Sequence, residues 1–229
     1  MRQKLIALIM VAIMTLSVCA AVGLTTATKV EAHTTTKLSL YTPSEVNYGE
    51  YHAISVQLKD GSGHPLANKP VELWYRWSGE TTWNYWRTLT TDSGGYRSTY
   101  DVDHRVTTVY WKAIFKGDPT YAGSTSVRTM VIKRDTSLSL YAPSTATKYD
   151  KFMLSGTLKG FTGGPKTIYL YYRYSGTTTW VYFKKVTTDS GGYYETTVIP
   201  SKTVTYYAKF AGDSSHWSST SRTRTVTVT

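Results

Sequence analysis

Rings and cations alternate at two matched places in this chain. Trp74, Arg76, Trp83, Tyr85 and Arg87 stand in the first, and Tyr171, Arg173, Trp180, Tyr182 and Lys184 follow 97 residues later. In extended backbone, side chains two apart share a face. A flat row of rings and positive charge stacks on sugar faces and pairs with anionic groups. The same residues have a second use, because aromatic pairs and basic stems also cover a sheet face, each pair contributing about 0.2–1 kcal/mol. Trp74, Arg76, Trp83, Tyr85, Tyr171, Arg173, Trp180 and Tyr182 are thus the candidate ligand-binding residues, with Trp86 and Phe183 turned inward between them.

Other chemistry is thinner. Thr-Thr-Asp-Ser-Gly-Gly-Tyr occurs at 90–96 and again at 187–193. As calcium ligands, Asp92 and Asp189 lack the six to eight oxygens such an ion takes. As turn residues they bond the backbone two positions on, with Gly94 or Gly191 supplying the positive φ that closes a hairpin. Asp118 and Asp213, each after a glycine, read as turns too. Asp101 and Asp103 share a strand face without a visible third partner. His33, His52, His64, His104 and His216 have no metal-site spacing and read as loop or solvated side chains. Glu72, Glu80, Asp101 and Asp103 are the carboxylates a glycosidase would need in pairs, yet none is acidic at its matched position later in the chain. With no nucleophile elbow, zinc-helix motif or phosphate loop, no catalytic residues, metal site or cofactor are expected.

The elements that must position the rings are strands. Val71, Leu73, Tyr75 and Trp77 alternate with Glu72, Trp74 and Arg76, and Ile168, Leu170, Tyr172 and Tyr174 with Tyr169, Tyr171 and Arg173. Turn signals at Asp60-Gly61-Ser62-Gly63, Ser78-Gly79, Asp92-Ser93-Gly94-Gly95 and Gly117-Asp118-Pro119 separate the runs. Strands are expected near 37–41, 51–58, 71–77, 83–90, 95–102, 108–115 and 125–132. Seven short strands in about 97 residues suit an immunoglobulin-like sandwich, with a closed barrel as the alternative.

The chain also repeats itself. Thr36 to Ser44 returns as Thr136 to Ser144, residues 71–96 match 168–193 at 16 of 26 positions, and Phe115-Lys116-Gly117-Asp118 returns as Phe210-Ala211-Gly212-Asp213. The fold class expected is therefore all-β, two tandem immunoglobulin-like β-sandwich domains at 33–133 and 134–229, joined at Lys133-Arg134-Asp135 without a flexible linker. Gly63-His64-Pro65-Leu66-Ala67-Asn68-Lys69-Pro70-Val71-Glu72-Leu73, Trp83, Thr91 to Tyr96 and Phe115 to Asp118 resemble the bacterial and archaeal Ig-like repeats of secreted and cell-surface proteins. The second copy keeps Trp180, Thr188 to Tyr193 and Phe210 to Asp213 but lacks the Pro-Leu-Ala segment. The resemblance implies spacers, adhesive modules or appendages of exported enzymes, and its motifs are structural.

Residues 1–32 read as an export segment. Arg2 and Lys4 precede an apolar run from Leu5 to Leu24, and Val30-Glu31-Ala32 is a cleavage site before His33. The run is also long enough to stay as an N-terminal anchor, and Leu16-Ser17-Val18-Cys19 resembles a lipobox. Each alternative leaves the rest outside the cell, secreted or at the cell surface. Cys19 is the one cysteine, so no disulfide is expected. Beyond residue 32 there are 23 basic and 14 acidic residues, a net +9. That balance favours anionic envelope polymers or glycans, with other surface proteins as further partners, no nucleic acid, and a membrane only through an uncleaved N-terminus. The expected function is non-enzymatic, in adhesion or envelope structure. The alternatives are carbohydrate binding by the aromatic face, or a filament subunit pairing through the strand at Thr225 to Thr229 and a free tail at His33 to Thr36.

Overall fold

The computed structural model describes residues 33–229, so the export segment expected over 1–32, with Cys19, lies outside the described residues. Every regular element among the described residues is a strand. The first copy contains β1 (Thr36–Tyr41), β2 (Glu45–Asn47), β3 (Tyr51–Asp60), β4 (Pro70–Trp77), β5 (Asn84–Thr90), β6 (Tyr96–Val102), β7 (Thr108–Phe115) and β8 (Ser124–Lys133). The second contains β9 (Ser137–Leu138), β10 (Thr145–Ala146), β11 (Phe152–Lys159), β12 (Thr167–Tyr174), β13 (Val181–Thr187), β14 (Tyr193–Val198), β15 (Val204–Phe210), β16 (Ser219–Thr220) and β17 (Arg224–Val228).

Each copy folds into two sheets. In the first these run β1-β3-β6 and β2-β8-β7-β4-β5; in the second, β9-β11-β14 and β10-β17-β15-β12-β13, with β16 on β15. This division of strands is that of an immunoglobulin-like sandwich, and the open edges exclude the closed barrel. The short strands β2 and β10 are additions to the expected set. Pro43 and Pro143 lie just before them. Proline cannot donate to a ladder, so the chain leaves β3 or β11 there and pairs in parallel with β8 or β17 instead.

Alternation fills the space between the sheets. Leu38, Leu40, Ile54, Val56 and Leu58 from one sheet meet Val71, Leu73, Val109, Trp111, Phe115, Met130 and Ile132 from the other, all buried. The second copy has its own core of Leu138, Leu140, Leu154, Leu158, Ile168, Leu170, Tyr194, Tyr206, Phe210 and others.

Two expected free ends are paired. β17 lies between β15 and β10, and Thr34 donates to the Thr120 carbonyl and accepts from the Ala122 amide, both at 2.9 Å. Unsatisfied ladder groups at these ends find partners within the chain, so they do not supply the edges on which filament pairing was expected.

Candidate ligand-binding face

Burial of Val71 and Leu73 turns Glu72, Trp74 and Arg76 to the outer face of the five-stranded sheet. All four first-copy candidates meet there. The Arg76 guanidinium lies over the rings of Tyr110 at 4.6 Å and Trp83 at 5.2 Å. Lys112 Nζ lies over Trp83 at 4.2 Å and Trp74 at 5.8 Å. Trp74 meets Tyr85 edge-on at 5.3 Å. The row thus reads Tyr110, Arg76, Trp83, Lys112, Trp74, Tyr85, with cations between rings. Arg76 Nη1 also donates to the Glu80 carbonyl at 3.0 Å, and Trp74 Nε1 to Glu72 Oε2 at 3.1 Å. Lys116 beside Glu72, aided by Trp74, holds the Glu72 carboxyl below its ordinary value despite partial burial.

The second copy repeats the row with one cation replaced and with Thr205 in the place of Tyr110. Arg173 lies over Trp180 at 4.7 Å; Trp180 meets Tyr207 edge-on at 4.6 Å; Tyr207 stacks on Tyr171 at 4.9 Å and 7°; Tyr171 meets Tyr182 at 5.8 Å. Tyr207 holds the place of Lys112. Tyr85 and Tyr182 are each 52% exposed, and the remaining candidates are half-buried by one another. Tyr110, Lys112 and Tyr207 were not among the sequence candidates. Their signal was present, because Val109, Trp111, Ala113 and Phe115 all point inward and leave the even positions of that strand outside.

Arg87 and Lys184 do not join the rows as expected. Leu73 pairs with Arg87 but Trp74 pairs with Tyr85, so Trp86 is an extra residue. The same shift between Leu170 and Tyr171 makes Phe183 extra. Such a bulge flips the phase of every residue beyond it. Trp86 turns inward against Trp111 at 5.0 Å, as expected, while Arg87 leaves the row and donates to Thr99 Oγ1 on β6 of the opposite sheet at 2.9 Å. Lys184 lies instead over Phe183 at 5.2 Å.

The acidic motifs are turns. Asp92 Oδ1 accepts from the Gly94 and Tyr96 amides at 2.9 Å, and Asp189 Oδ1 from those of Gly191 and Tyr193 at 2.8 and 2.9 Å. The positive φ falls on the second glycine of each pair, Gly95 at 67° and Gly192 at 87°, rather than on Gly94 and Gly191. The turn also links strands of different sheets and closes no hairpin. Asp118 is bound by Lys69 at 2.6 Å and Asp213 by Lys166 at 2.8 Å. Lys69, then the Thr120 and Tyr121 amides, hold Asp118 below the usual carboxylate range. Burial opposes ionisation of Asp213, but Lys166, the Ser215 amide and His216 outweigh it and hold that carboxyl far below the range.

Two histidines differ from the solvated reading. His216 is buried, its Nδ1 2.7 Å from Asp213 Oδ1 and its Nε2 accepting from the Thr162 amide at 3.0 Å. His52 is buried as well, because it shares the inward phase of Ile54, Val56 and Leu58 on β3.

No protein-family model matches the sequence, and no curated protein matches it. Solved structures do show a likeness to the chain. A Salmonella alpha-2-macroglobulin mutant is 11% identical with a TM-score of 0.41, over 86% of this chain and 16% of that one. The D1–D4 ectodomain fragment of ICAM-5 is 13% identical with a TM-score of 0.48, over 84% and 53%. The D0–D1 domain of intimin is 12% identical with a TM-score of 0.31, over 83% and 97%. The chain spans between 16% and 20% of the length of the bacterial alpha-2-macroglobulins it matches.

Proposed function

We propose that this chain is an exported, non-enzymatic protein of two immunoglobulin-like domains, 33–133 and 134–229, that serves adhesion or envelope structure and touches anionic polymers or acidic glycans through its outer rows. The repetition of the row carries this reading. Arg76 and Arg173, Trp83 and Trp180, Tyr85 and Tyr182 recur at matched places on the face turned away from the core. A sheet face needs covering, but it needs no particular order of rings and cations. The net +9 beyond residue 32 adds long-range attraction to polyanions. The likeness of the turn motifs to prokaryotic surface-protein repeats agrees with it.

A second reading, in which the rows only stiffen their sheets, draws on the same contacts, since Trp83 is already held by Arg76 and Lys112. Retention on an immobilised acidic polysaccharide separates the two. The parent is expected to bind, and the Trp83→Ala, Trp180→Ala double variant to bind at least ~10-fold more weakly at unchanged far-ultraviolet dichroism, the effect of losing roughly 1.4 kcal/mol. Equal binding by the folded double variant removes the face as a site. The polysaccharide is expected to be recovered intact; turnover abolished by changing one carboxylate would remove the non-enzymatic assignment.

A further inference from the structure

At one end of the first sandwich, three polar side chains stand where the second copy is apolar. His52 on β3 pairs with Asp101 on β6, and Asp103 follows. The corresponding pair in the second copy is Phe152 with Val198. Asp103 and Pro200 correspond because each carbonyl accepts the amide of the matched turn, from Gly49 and Tyr149, at 2.9 Å. The fold therefore forms without His52, Asp101 or Asp103.

Their potential ligand atoms converge. His52 Nε2 and Asp103 Oδ2 face each other at 3.5 Å, with side chains 3% and 5% exposed, and neither atom has a hydrogen-bond partner. One ligand atom from each of His52, Asp101 and Asp103 lies within 4.8 Å of the others. His52 Nδ1 faces the Glu50 carbonyl at 3.5 Å. A proton on Nδ1 directed there leaves the Nε2 lone pair pointing at a carboxylate oxygen, and two acceptors facing each other out of water are costly. A separation of 3.5 Å is long for a hydrogen bond. It fits the edge of a tetrahedron about a cation with bonds near 2.1 Å, about 3.4 Å. A backbone carbonyl on the other ring nitrogen is the usual outer support of a metal-bound histidine.

We propose that His52, Asp101 and Asp103 bind one first-row divalent cation of the zinc type, with the two carboxylates neutralising it. Asp101 and Asp103 line a cleft of about 300 Å³ with Trp77, Trp86 and Trp111, which leaves room for water or a ligand oxygen at the remaining coordination position. Imidazole among the ligands favours such a metal over calcium or magnesium.

The test is titration of zinc into the chelator-stripped full chain. One equivalent is expected to bind at micromolar Kd or tighter, and cobalt in its place to give the visible absorption of a low-coordinate site. The variant His52→Phe, Asp101→Val, Asp103→Pro carries the second copy's own residues and is expected to lose at least ~10-fold in affinity, about 1.4 kcal/mol, together with the cobalt band. His52→Gln, which keeps a polar side chain of similar reach, serves if the triple variant does not fold. Zinc binding unchanged in the folded variants, no saturable binding by the parent, or calcium preferred over zinc would each overturn the assignment.

Discussion

Gly94 and Gly95 are neighbours of one type with different duties. A Cβ on Gly95 would stand 2.3 Å from the Leu58 carbonyl and 3.0 Å from the Leu66 amide at a φ of +67°, whereas one on Gly94 would meet only Asp92 Oδ1 at 3.4 Å. Gly95→Ala is thus expected to destabilise the first copy by about 1–3 kcal/mol and Gly94→Ala to stay within roughly 0.5 kcal/mol; paired urea titrations decide, and equal midpoints would refute the distinction. The turn itself was legible from Asp92 and its glycines. Which glycine takes the left-handed conformation was not, because it is set by the approach of β3, some forty residues earlier in the chain. His52 shows the same limit: its phase with Ile54 and Val56 was readable, but the meeting with Asp103 depends on how β3 and β6 pair.

At the scale of strands, alternation placed the row, and a bulge decided its membership. Period two along 71–77 put Trp74 and Arg76 outside, as observed. Extended without interruption to 83–89 it also placed Arg87 there, and the extra residue at Trp86 sends that side chain to Thr99 instead. Nothing local marks the bulge, since Trp86 and Phe183 suit an unbroken strand equally well. The two rows then differ by Lys112 against Tyr207 and by Tyr110 against Thr205. Lys112→Tyr converts the first row into the ring-on-ring form of the second, where Tyr207 stacks on Tyr171 at 4.9 Å. Aromatic pairing is worth about 0.5–1.5 kcal/mol, comparable to the exposed cation–ring contacts it replaces. Urea stability is expected to change by less than ~1 kcal/mol, while retention on the acidic polysaccharide becomes less sensitive to salt. A salt dependence identical to the parent's would show that Lys112 takes no part in attracting the polymer.

Over the whole molecule, repetition in the sequence corresponds to two separate cores, one drawn from residues 38–132 and the other from 138–226. Between them run Lys133, over the Trp217 ring at 4.8 Å, and Arg134, over Tyr48 at 4.6 Å. Cores that share no side chain are expected to melt as two transitions, and alkaline pH offers a way to move one of them. Tyr206 is buried in the second core and its hydroxyl is pushed up to about 12 by burial, then by Tyr174 and Tyr172. Burial raises Tyr194 as well. The corresponding inward residue of β7 is Trp111, which does not ionise there. A phenol that ionises near 10 when unfolded but only near 12 when folded stabilises the fold fully below pH 10. Above that, the unfolded state releases its proton first, so stability falls as pH rises, by roughly 2–3 kcal/mol at pH 12 for Tyr206 alone. Calorimetry between pH 9 and 12 is therefore expected to show the second copy's transition moving down and the first copy's moving less. Tyr206→Phe, which removes the ionisable group and keeps the ring, should reduce that difference. Two transitions that shift together, or a single one in which Tyr206→Phe changes nothing, would mean that residues 33–229 unfold as one body despite their two cores.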